Sequence, residues 1–99
     1  MTPDAMQVIE LLAQHHAEIR AFSVKRLGLF GSVARGEGRE DSDLDFVVEL
    51  EQHTFDNYMG LALFLQDLFG CKVDLIESEA LKPRLKPVVE REAVYAQGL

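Results

Sequence analysis

Gly31 to Asp45, reading GSVARGEGREDSDLD, is the stretch on which the reading of this chain turns. It follows Leu27-Gly28-Leu29-Phe30 and precedes Phe46-Val47-Val48, two apolar runs with the composition of buried strands. Between them stand a small-residue turn, a short basic step and two carboxylates spaced i, i+2. Several known loops share parts of this pattern, and each can be tested against the positions it requires. Gly31 and Gly36 have the spacing of P-loop glycines, but Glu37-Gly38 stands where Lys-Ser/Thr is needed. A dinucleotide fingerprint fails because Asp41 takes the place of its third glycine. A calcium loop starting at Asp41 would need glycine sixth and glutamate twelfth, where this chain has Phe46 and Gln52.

What remains is physical. Asp43 and Asp45 lie two apart at the start of a strand, so their side chains project from one face. Leu44, Phe46 and Val48 then face the core. Two adjacent carboxylates repel each other unless a cation sits between them, and oxygen donors suit Mg²⁺ or Mn²⁺. Asp74, flanked by Val73 and Leu75, is an acid inside an apolar strand and is costly to bury without a partner. If its strand lies beside 44–50, it becomes a third ligand or a base. Gly31 after a strand lets a phosphate approach the backbone, and Ser32 offers a hydroxyl and an amide. If 32–35 begins a helical turn, those amides make an anion site to which Arg35 adds positive charge. The alternative is a strand–turn–strand hairpin with solvated charges.

Outward from this stretch, Thr2 before Pro3 predicts a helix cap with proline at the first helical position. Met6, Ile9, Leu12, Ala13, His16 and Ile19 recur at helical spacing, predicting one helix over 3–21. His15 and His16 are adjacent and point about 100° apart, unsuited to joint metal ligation. Strands are expected at 24–30, 44–50 and 72–76, and helices at 55–69 and 84–96. Thr54 or Asp56 caps the first of these helices and Gly70 closes it. Lys82-Pro83 breaks a short helix that begins after Glu77. Leu61 to Leu65 is apolar on all sides, so helix 55–69 is either covered on both faces or docks a partner. Cys71 is expected in the core, and Tyr58 and Tyr95 in packing. Arg39, Arg84 and Lys86 are expected on the solvated surface. The fold class is α+β, a small mixed sheet with helices packed over it.

The chain has 99 residues, 47% of them apolar and 27% charged, as expected of one soluble domain, 1–99. Its 17 acids against 10 bases give a net charge of −7, which repels nucleic-acid backbones and argues against binding them. No apolar run reaches the roughly 20 residues of a membrane span. A single cysteine and no basic leader suit the cytoplasm.

Gly31-Ser32-Val33-Ala34-Arg35-Gly36, followed by Ser42-Asp43-Leu44-Asp45 and by Asp74, resembles the signature of the DNA-polymerase-β-type nucleotidyltransferase superfamily. The likeness runs from about Leu27 to Ile76, half the chain. The small size is similar to that of the minimal nucleotidyltransferases, antitoxin partners of HEPN toxins in prokaryotes. The resemblance implies two Mg²⁺ ions on Asp43, Asp45 and Asp74, and ATP with its triphosphate over Gly31 and Ser32, near Arg35 and Ser42. It implies AMP transfer to a tyrosine of a HEPN toxin, docked at helix 55–69, because no segment is left over to bind an acceptor. Two other readings stay open: an inactive antitoxin that neutralises by binding alone, and a transferase acting on a small molecule such as an aminoglycoside with a separate helical subunit.

Overall fold

The computed structural model describes residues 3–39 and 43–96. Thr2, Asp41 and Ser42 lie outside the described residues. The first helix, α1 (Ala5–Gln14), starts from Asp4: its carboxylate accepts from the Gln7 amide at 2.9 Å, and the Gln7 side chain accepts from the Asp4 amide at 3.1 Å. This reciprocal box satisfies two amides that a helix start leaves unpaired. The single helix expected over 3–21 is divided at His15, and α2 (His16–Arg20) follows. A local competitor accounts for the break. His16 Nδ1 donates to the Ala13 carbonyl at 2.9 Å, and an unbroken helix would reserve that carbonyl for the amide four residues on. The inward stripe also differs from expectation: Val8, Leu12 and Ile19 are buried, whereas Met6 and His16 are exposed.

Strand β1 (Val24–Phe30) runs into a single helical turn, α3 (Gly31–Ala34), and the chain returns as β2 (Leu44–Leu50), antiparallel to β1. Helix α4 (Phe55–Phe69), capped by Thr54 and ended by left-handed Gly70, crosses over to β3 (Val73–Glu77). That crossover lets β3 lie parallel to β2, as a tight hairpin could not. A 3₁₀ turn at Ser78–Ala80 precedes α5 (Lys86–Glu92) and β4 (Val94–Tyr95). The sheet order is β3-β2-β1-β4.

Alternation along the strands sorts the sheet into two faces. Leu27, Leu29, Leu44, Phe46, Val48, Leu50, Val73 and Leu75 form the core with Val8, Leu12, Ile19, Leu61, Ala62 and Leu65 of the helices. The opposite face carries Asp45, Val47 and Glu49, with Gly28, Asp74 and Ile76 beside them in register. Helix α4 thus buries one side, while Phe55 and Leu63 are 76% and 55% exposed on the other. Among the described residues, no helix is long and apolar enough to cross a membrane.

The largest departure is at the C-terminal end. A helix over 84–96 is expected, but α5 stops at Glu92, Ala93 is extended, and β4 pairs with β1 through Gly28–Tyr95 and Leu29–Val94. Val94 and Tyr95 are strand-favouring types, and β1 offers them an open edge. The ring of Tyr95 lies across Gly28, where a Cβ would come within 2.9 Å of Tyr95 Cδ1, and Arg26 stacks on its outer side at 3.9 Å. The packing role expected of Tyr95 therefore holds, on a strand rather than a helix. Gly28→Val should lower the melting temperature by several degrees although valine favours strands, because Tyr95 and Ala93 must move. A melt equal to or above wild type would contradict the packing of β4.

Candidate functional site

In the sheet β3 lies beside β2, and Asp45 and Asp74 are Cα partners across the parallel pair. Asp43 immediately precedes β2 and is close enough for its charge to act on Asp45. Across the antiparallel pair, Phe30 is the partner of Asp45, so the end of β1 delivers Gly31 directly onto that carboxylate. Gly31 has φ +81°, and any Cβ there would collide with Asp45 Oδ2. Only glycine reconciles that backbone conformation with that close approach. The turn after it is helical, as the anion-site reading requires, and closes through Arg35 N–H to Gly31 O at 3.2 Å and Glu37 N–H to Ser32 O at 2.8 Å. The first amides of a helical turn have no acceptor within it.

The nucleotidyltransferase domain family profile matches residues 8–96. The chain belongs to the nucleotidyltransferase family. It is 37% identical over 91 residues to the protein adenylyltransferase MntA of Thermococcus cleftensis, covering 90% of this chain and 92% of that protein. A solved chain described as a candidate minimal nucleotidyltransferase is 38% identical, with TM-score 0.81, covering 93% of this chain and 95% of the other. The fold also matches a solved complex of a tri-AMPylated Shewanella oneidensis HEPN toxin with its MNT antitoxin, at 19% identity and TM-score 0.63, over 92% of this chain and 73% of that one. The fold of this nucleotidyltransferase is thus the minimal one, and its substrate is a nucleotide.

The electrostatics of the candidate site centre on Asp45. Burial first, then the negative charges of Asp74 and Asp43, hold its carboxyl above the ordinary carboxylate range, and the Arg35 charge pulls it back. Among the described residues, no three His, Cys, Asp or Glu side chains are drawn together tightly enough to hold a metal by themselves. Mg²⁺ does not demand that. It keeps several waters and takes one or two carboxylates together with substrate phosphates. Oxygen donors that repel one another beside a glycine turn fit such an ion.

The remaining expected residues divide. Ser32 sits half-buried in α3. Arg35 is engaged by Glu92 at 2.6 Å and Glu37 at 3.2 Å. Ser42 is outside the described residues. Arg39 and Arg84 are exposed, and Lys86 is half-buried at the start of α5. Tyr58 packs against the core and its hydroxyl donates to the Leu75 carbonyl, fixing α4 to β3 one residue from Asp74. Cys71 packs at the core margin, where burial and the Asp43 charge push its thiol up. Two residues near the site escaped sequence reasoning: Lys72, whose Nζ is 3.9 Å from Asp43, and Glu92. Lys72 was legible as the residue before β3. Nothing local to Glu92 marks it.

A raised carboxyl pKa has a definite sign. The folded chain holds the Asp45 proton more tightly than the unfolded one, so stability falls as pH rises through the interval between the two values. The cost is fully present once pH lies above both values. Asp45→Asn should therefore raise the melting temperature of metal-free protein at pH 7–8, by a few degrees in order of magnitude. The gain should shrink as pH approaches about 4. Thermal melts across that range, without divalent ions, check both points, and a variant that melts below wild type at pH 8 would contradict the repulsion.

Proposed function

We propose that this nucleotidyltransferase is the antitoxin of a toxin–antitoxin pair and transfers AMP from ATP to a tyrosine of a HEPN toxin, neutralising it. The observation that carries the reading is the pairing of Asp45 with Asp74 across β2 and β3, with Asp45 set against the Gly31 turn. Its relatives support the chemistry. One is named a protein adenylyltransferase, and one neighbour of the same fold is an antitoxin bound to an AMPylated HEPN toxin.

In this reading Asp43, Asp45 and Asp74 would hold two Mg²⁺ ions, which would supply positive charge to offset the charge that develops during an in-line displacement. The Gly31–Ser32 turn accepts the triphosphate, since no side chain at Gly31 keeps phosphate from the backbone. Asp74 takes the proton of the acceptor hydroxyl. The freed oxygen bonds to the α-phosphorus as the bond to pyrophosphate breaks, and pyrophosphate leaves. Positioning of the two reactants supplies much of the remaining acceleration.

The acceptor comes from the partner chain. Helix α4 presents Phe55, Met59 and Leu63 at i, i+4 and i+8, one stripe along its outer side, with Phe55 and Leu63 exposed. An apolar stripe of this kind suits a helical partner surface, and the HEPN toxin is the occupant proposed.

Incubating the protein with its co-purified partner, Mg²⁺ and α-labelled ATP should place label on the partner. Asp43→Ala or Asp45→Ala should reduce labelling at least a hundredfold while leaving the circular dichroism spectrum unchanged. Label on an aminoglycoside would select the small-molecule transferase. Full neutralisation of the toxin by Asp43→Ala would select binding without chemistry. Phe55→Glu and Leu63→Glu should each weaken the complex at least tenfold without lowering the melting temperature of the free chain. An unchanged complex would remove α4 from the interface.

A further inference from the structure

We propose that Glu92 is a positioning residue of the nucleotide site: it ties Arg35 to the end of α5 and thereby fixes the Gly31–Arg35 turn against Asp45. The inference rests on the functional reading above and adds to it a role for the C-terminal segment.

The register makes the contact possible. Leu29 pairs with Val94 and Gly28 with Tyr95, and that antiparallel register, continued two residues, sets Glu92 abreast of Gly31. The Glu92 Oε1 atom then accepts from Arg35 Nη1 at 2.6 Å across 57 residues of sequence, while Glu37 accepts from Nε at 3.2 Å. Of the two acids, Glu92 is the less exposed, 29% against 62% for Glu37, so its pair with Arg35 is the less screened by solvent. Glu92 is also the last residue of α5, where the helix dipole disfavours negative charge. A carboxylate in that position is stabilised by the guanidinium it meets.

Two carboxylates around one guanidinium cancel most of its attraction for a triphosphate. Arg35 then acts through geometry. Its backbone amide closes α3 onto the Gly31 carbonyl, and its side chain anchors the same turn to α5. Without the tie, the turn is held by its short-range backbone bonds and by Val33, which is buried in the core.

A double-mutant cycle on the full chain separates this role from direct phosphate binding. Calorimetry with Mg²⁺ and a non-hydrolysable ATP analogue should show Arg35→Ala and Glu92→Ala each weakening affinity roughly tenfold, with the double variant no weaker than either single. Glu92→Gln keeps an acceptor oxygen for Nη1 and should fall between wild type and Glu92→Ala; it also carries the test if Glu92→Ala does not fold. Tighter binding by Glu92→Ala would mean that Arg35 is a phosphate ligand released from a competitor, and would overturn the proposal. Additive losses or unchanged affinity would overturn it too. A wild-type chain without affinity for the analogue would overturn the functional reading, and the positioning role with it. A wild type that binds while Glu92→Ala binds equally well would overturn the positioning role alone.

Discussion

The repulsion among carboxylates at the start of β2 is the constraint around which this molecule is arranged. Asp45 is partly withdrawn from water, and Asp74 and Asp43 press their charges on it. A fold selected only for stability would not keep three acids there, because each pair of like charges raises the energy of the folded state. The sheet holds them together nonetheless. Parallel pairing fixes Asp74 next to Asp45, the α4 crossover makes parallel pairing possible, and Tyr58 fastens that crossover to β3. The hydrophobic face of the sheet bears the cost through Leu44, Phe46, Val48 and Leu75, which alternate with the acids and are nearly fully buried.

The same sheet supplies the other half of the site. The antiparallel return from β1 to β2 brings Gly31 onto the carboxylate of Asp45, and the collision that any Cβ would suffer there accounts for the glycine. On the far edge of β1, β4 completes the sheet and aims Glu92 back at the same turn. The Gly31–Arg35 turn is therefore framed from both sides, by acids on β2 and β3 and by the end of α5. Arg35 and Glu92 form a close ion pair, whereas Asp45 is surrounded by the charges of Asp43 and Asp74.

Much of this was legible in the order of residues. Period-two alternation from Leu44 to Leu50 located β2 and separated its acids from its core face, and helix α4 followed from its cap, its apolar content and Gly70. Each departure has a specific physical cause. The first helix was read as continuous because hydrophobic spacing does not register a histidine ring competing for a backbone carbonyl. The C-terminal segment was read as helix because the edge of β1 that recruits Val94 and Tyr95 lies more than sixty residues upstream. Periodicity is a short-range signal, and both failures concern partners it cannot see.

Residue order alone specifies the chemistry available here: which residues are acids, where glycine permits a close approach, and which faces are apolar. Those are properties of residue type and of spacing along one element, and they follow from strand and helix periods. Which of these features meet depends on the folded arrangement. Asp74 reaches Asp45 through a parallel register set by a helical crossover, and Glu92 reaches Arg35 through an antiparallel register at the opposite edge. Both are pairings between distant strands. Their register is fixed by burial of one sheet face and by close contacts such as Tyr95 on Gly28, which exist only once the chain has folded.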